Sequence, residues 1–76
     1  MKLIEGSMGQ TYIVEAVDLP VQTERRLQAL GMTEGTSVTV MNKKKRGALV
    51  IKVRGTRFAI GKMIGEHIQI REVTGE

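Results

Sequence analysis

The sequence predicts a mainly β chain: a small five-stranded barrel with one short α-helix inserted after the first strand and a short helical turn before the last. Three observations predict it. Short runs alternate apolar and polar residues, led by Leu49-Val50-Ile51-Lys52-Val53-Arg54, and alternation sends successive side chains to opposite faces of a strand. Within Leu27–Val40 the apolar spacing changes: Leu27 and Leu30 stand three apart, Val38 and Val40 two apart. A helix therefore gives way to a strand. Finally, 76 residues are too few for a sandwich of about seven strands, whereas closing five short strands into a barrel removes free edges. One domain, 1–76, is expected, with a thin core, because a chain this small buries only about 60% of the surface its unfolded form exposes.

Taken in order, residues 1–10 read as an extended entry and a turn at Gly6 and Gly9, with Leu3 and Met8 packing on the barrel. Thr11–Val17 is β-branched and aromatic, the composition of a strand. Tyr12, Val14 and Ala16 share one face; Ile13, Glu15 and Val17 share the other, and Glu15 marks that face as the solvent side. Pro20 fits a first helical turn, where a missing N–H costs nothing. The helix then runs over about Val21–Leu30, with Thr23, Leu27 and Leu30 inward and Glu24, Arg25 and Gln28 outward. So short a helix is marginal alone, so docking of Leu27 and Leu30 must stabilise it. Gly31 suits the left-handed position after a helix end, and Gly35 makes a turn.

The second strand covers Thr36–Met41, with Val38 and Val40 inward and Thr39 and Met41 outward. Asn42–Gly47 is a polar hairpin tip with four consecutive cations. Leu49–Arg54 is the clearest strand, Arg54-Gly55-Thr56 a tight reversal, and Phe58 to Ile60 a short strand. Gly61–Gly65 reads as one turn of helix or 3₁₀. Ile68 and Ile70 close the set, opposite His67, Gln69 and Arg71, and Val73–Glu76 reads as a frayed tail. The strand count and length fit an SH3-like barrel.

Composition narrows the chemistry. Apolar residues are 41% and only Tyr12 and Phe58 are aromatic, so the core must be aliphatic. There is no Cys, which excludes disulfides, thiolate metal sites and Cys nucleophiles. No apolar run approaches the roughly 20 residues that span a bilayer. The opening MKLIEGSMGQ lacks an apolar h-region, so no secretory signal is expected. A catalytic site is not expected either. The chain has one His, scattered carboxylates, serines (Ser7, Ser37) outside any G-x-S-x-G setting, and no phosphate-binding glycine motif. No cofactor is expected.

Charge is unevenly spread. The net charge is +4, but between Met41 and Lys62 lie eight basic residues and no acidic one, leaving four basic and eight acidic elsewhere. The middle of the chain is therefore positive. Lys43, Lys44, Lys45 and Arg46 could meet phosphate, which makes a small nucleic-acid-binding barrel the alternative function. Readers of single strands add stacking aromatics, and none lies near this tip. A solvated turn made soluble by lysine is the plainer reading; an acidic protein patch or an anionic membrane surface is a third. His67 is the one candidate metal ligand. Beside it Glu66 would point to the opposite face of a strand, so the two would not chelate together. Met41 and Val50, outward on adjacent strands, could meet as a cross-strand pair and, with Met63, mark an interaction patch.

The run Arg26-Leu27-Gln28-Ala29-Leu30-Gly31-Met32-Thr33-Glu34-Gly35-Thr36-Ser37-Val38-Thr39-Val40 resembles the R-L-x-x-L-G-[LM]-x-P-G-x-x-[VI]-x-V pattern of the ferrous iron transport protein A (FeoA) family. Leu49–Ile60, with its Gly55 reversal and Phe58-Ala59-Ile60 triplet, and the Ile68-x-Ile70 strand extend the likeness over residues 11–73. Glu34 replaces a common Pro, and Ile60-Gly61 a common Leu-Arg. The resemblance implies a cytoplasmic SH3-like barrel without catalysis, an accessory of bacterial ferrous iron uptake. Its implied partner is the large membrane iron transporter, docked on or regulated at its cytosolic GTP-binding part. That partner would hold the protein at the inner membrane. The family also resembles the C-terminal SH3-like domain of iron-dependent repressors, but this chain carries no helix-turn-helix. Partner contacts are expected at Arg25, Gln28, Met41 and Lys43–Arg46, while Leu27, Leu30, Gly31 and Gly35 form the structural motif. Self-association through sheet edges is a further expectation.

Overall fold

The computed structural model describes residues 1–73. After a 3₁₀ turn, Leu3–Glu5, come β1 (Thr11–Val17), α1 (Val21–Ala29), β2 (Ser37–Lys43), β3 (Leu49–Val53), β4 (Thr56–Ile60), α2 (Lys62–Glu66) and β5 (Ile68–Glu72). The five strands form one antiparallel sheet in the order β4-β3-β2-β1-β5. The fold is thus mainly β with two short helices, as the alternating runs require. The ring of strands is not closed by pairing between β4 and β5. Residues 1 and 2 cover part of the β5 edge instead: Lys2 bridges Gln69, and the Ile70 N–H donates to the Met1 carbonyl at 2.7 Å.

Two bulges curl the sheet. In β1 the register with β5 shifts between Val14 and Ala16; in β2 the register with β3 shifts between Val40 and Asn42. An extra residue in one strand bends it and increases its twist. Both bulges also correct the expected faces. Val17 stands opposite buried Ile68 and packs against the core, although strict alternation placed it with Glu15 outside. Val50 pairs with Asn42, not with Met41, which is the unpaired bulge residue.

The core is aliphatic as expected. Val14, Val38, Val40, Leu49, Ile51, Val53, Ile68 and Ile70 line the inner face of the sheet, and Leu3, Leu27 and Met32 cap it. No polar side chain is buried among the described residues. Tyr12 is buried, but its hydroxyl oxygen accepts the Ser7 N–H at 2.8 Å, so its polar end is satisfied. Phe58, on the edge strand β4, is only partly buried. Met8 is exposed rather than packed, because residues 9–10 pair with Val40 and turn it away from the core. Val73 is exposed beyond β5; the remainder of the expected frayed tail lies outside the described residues.

The end of α1 decides the other main correction. Leu30 is not helical core but the C-cap, 41% exposed, whereas Leu27 is 4% exposed. The Gly31 N–H donates to the Gln28 carbonyl and the Met32 N–H to the Leu27 carbonyl, both at 2.9 Å. These two bonds, with Gly31 at φ 98°, make a Schellman ending. Such an ending packs the residue after the glycine against the last inward helical residue. Met32 therefore joins Leu27 in the core, in the place the spacing assigned to Leu30. Thr33–Thr36 then turns, closed by the Thr36 N–H on the Thr33 carbonyl at 3.1 Å, with Gly35 at φ 86°. The Gly35 N–H donates to the Val14 carbonyl at 2.7 Å, which ties the turn to β1.

Candidate functional site

The expected contact residues fall into two groups, and the structure sets them at opposite ends of β3. At one end lies α1. Val21, Arg25 and Gln28 recur at i, i+4 and i+7 and are all exposed, so they form one outward stripe on the helix. Val21 is 59% exposed, an apolar start to that stripe. Beside the helix end runs the two-residue reversal Arg54-Gly55, which joins β3 to β4 with both residues at positive φ, 52° and 83°. This is the turn whose twist matches that of the paired strands. The Arg54 stem lies against the end of α1: its Cδ is 3.2 Å from where a Cβ on Gly31 would stand.

At the other end is the hairpin tip between β2 and β3. The Lys44 N–H donates to the Ala48 carbonyl at 2.8 Å and the Gly47 N–H to the Lys44 carbonyl at 3.0 Å. Gly47 takes φ 87°, the left-handed conformation such a tip needs. Lys43, Lys44, Lys45 and Arg46 are all exposed. Between the two ends stands β3, which spans about 13 Å. Met41, half-buried on its bulge, belongs to the sheet surface near the tip and not to the α1 stripe.

One member of the tip escaped the sequence. A Cβ on Gly47 would meet the Lys62 side chain at 2.9 Å, so the Lys62 stem lies across the tip backbone. Its ammonium joins the four cations from fifteen or more positions further along the chain. No local pattern signals this; it follows from α2 crossing the end of the β2–β3 hairpin. Buried Gly65 permits the crossing, since a Cβ there would stand 3.3 Å from Leu49 Cδ1 and 3.5 Å from Ile4 Cβ.

His67 is not on a strand. It is the C-cap of α2, and its Nδ1 lies 2.8 Å from the Met63 carbonyl oxygen. A carbonyl only accepts, so Nδ1 carries the proton in that bond and Nε2 is left to solvent. Among the described residues no group of three His, Cys, Asp or Glu side chains could hold a metal ion. In a recess lined by Ser7, Gln10, Thr11, Tyr12, Glu72 and Val73, the Thr11 hydroxyl pairs with that of Thr39 and the Tyr12 hydroxyl accepts the Ser7 N–H, both at 2.8 Å.

A family model for the FeoA domain matches residues 1–72. A comparison with curated protein sequences gives no match. Among solved structures, the FeoA protein of Chlorobium tepidum is 25% identical with a TM-score of 0.91, over 100% of this chain and 73% of that one. A FeoA of Stenotrophomonas maltophilia complexed with zinc, described as a procaryotic SH3 domain protein, is 31% identical with a TM-score of 0.78, over 92% of this chain and 88% of that one. A manganese-dependent transcriptional repressor shares the fold alone, at 15% identity and a TM-score of 0.86, over 96% of this chain and 41% of the repressor. The matched span takes in the Leu-Gly-Met turn, the two positive-φ glycines that hold it and all five strands, and the chain belongs to the FeoA domain family.

Proposed function

We propose that this chain is a non-catalytic accessory protein of ferrous iron uptake in the bacterial cytoplasm. It docks through the outer stripe of α1 on the cytosolic GTP-binding part of the membrane iron transporter. Family membership supports the ferrous iron role. The observation that carries the docking surface is the α1 stripe itself, in which Arg25 and Gln28 continue the line that exposed Val21 begins. Exposed apolar area with an Arg beside it is a common make-up of a contact surface. Leu30, the exposed C-cap, lies at the other end of the helix and off the line of the stripe.

A pull-down with the isolated cytosolic domain of the transporter tests this reading. The folded protein should be retained, and an Arg25→Glu, Gln28→Glu variant should not. No retention at about tens of micromolar, an affinity of roughly 6 kcal/mol, removes the proposal.

A further inference from the structure

We infer that the composite basic tip, Lys43–Arg46 with Lys62, and the neighbouring Met63 form a second docking surface, whose partner is the anionic headgroup surface of a lipid bilayer. The inference does not depend on docking through α1, which lies at the far end of β3.

The first ground is charge complementarity. Five cations from two separate elements gather at one end of the molecule, because Lys62 lies across Gly47. Among the described residues none of the five forms an ion pair. Glu66, one turn along α2 from Lys62, is not within ion-pair distance of it. The cluster is therefore not neutralised by the protein itself.

The second ground is shape and chemistry. The tip is a tight turn that exposes four cationic side chains on consecutive residues. A flat array of phosphate headgroups accepts such charges in any arrangement, whereas a protein pocket needs one defined geometry. Met63 follows Lys62 and is 72% exposed, the most exposed large apolar side chain of the described residues. A cationic cluster with an apolar side chain beside it is the combination that holds proteins at an anionic interface. Nucleic acid is the poorer fit, since no aromatic side chain lies at the tip to stack on a base.

Each cation near an anionic leaflet strengthens binding about five-fold. The test is co-sedimentation of the folded protein with vesicles of phosphatidylcholine containing about one third phosphatidylglycerol, against vesicles of phosphatidylcholine alone. Binding should occur only to the anionic vesicles and weaken as salt rises. Replacing Lys43, Lys44, Lys45 and Arg46 by Gln should lower it at least about a hundredfold, and Lys62→Gln alone about five-fold. Met63→Ser should lower it several-fold at a salt concentration where the cations are screened. All these residues are exposed, so thermal melts should not change. No binding to anionic vesicles at low salt overturns the inference. So does equal binding to the neutral vesicles, or tighter binding to a mixed-sequence oligonucleotide at physiological salt. If the four-residue variant loses binding while Lys62→Gln and Met63→Ser do not, the composite surface is refuted.

Discussion

Leu27 and Leu30 stand three residues apart in the same helical pattern, yet removing them should have very different consequences. Leu27 is 4% exposed and touches the core from the last turn of α1. Its replacement by Ala removes three carbons from a close-packed site, which costs about 2–5 kcal/mol. The whole domain, at about 0.05–0.15 kcal/mol per residue, should be stable by roughly 4–11 kcal/mol, so Leu27→Ala removes a large share of it. Each kcal/mol moves the melting temperature of so small a domain by about 4–8 °C, and a loss of 3 kcal/mol should lower it by about 12–24 °C. Leu30 is 41% exposed at the C-cap. Its side chain already meets water, and Leu30→Ala should stay within about 0.5 kcal/mol, or a few degrees. Thermal melts followed by circular dichroism measure both. Equal losses for the two variants, or a larger one for Leu30→Ala, would refute the placement of α1 and its Schellman ending.

Three further substitutions probe the turns around this core. Gly31→Ala keeps the fold but places a Cβ at φ 98°; it should lose about 1–2 kcal/mol in denaturant melts, with little added by the flexible Arg54 stem. Gly6→Ala should cost about 1–3 kcal/mol, because the new methyl would stand 2.9 Å from Tyr12 Cε2 and 3.1 Å from Val40 Cγ2, and a buried ring cannot swing away. Tyr12→Phe leaves the Ser7 N–H without the oxygen it meets at 2.8 Å, and should lose about 1 kcal/mol with an unchanged circular dichroism spectrum.

What the sequence disclosed follows from how far each signal reaches. Alternation in Leu49–Val53 and the glycines at 31, 35 and 55 are local, and each of these elements stands where its residues placed it. The single aliphatic core was equally legible, since only aliphatic residues were available to build it. The faces of Val17 and Met41 differ from strict alternation at a change of phase. A bulge adds one residue without altering composition, so Val17 and Met41 kept their alternation in sequence while their strands slipped register. Leu30 was misread for a related reason. Helical periodicity assumes that the helix continues, and Gly31 ends it one residue too early for Leu30 to turn inward.

That early ending also bears on function. Leu27 and Met32 fill the core where the helix ends, and Leu30 is left as exposed apolar area at the helix C-terminus. The Schellman ending thus spends the methionine on stability and leaves the leucine at the surface, at the C-terminal end of α1. The family motif thereby serves two ends with adjacent residues: Leu27 and Met32 fix the helix, and Leu30 faces outward. At the tip the arrangement is different. Lys43–Arg46 were visible as a run, but their neighbour Lys62 was not, because only the folded chain lays α2 across Gly47. A docking surface on a helix can be read from its period, whereas one assembled from a hairpin and a later helix cannot. The Lys62→Gln measurement is therefore the sharper probe of the tip, since a run of lysines acting alone would not respond to it.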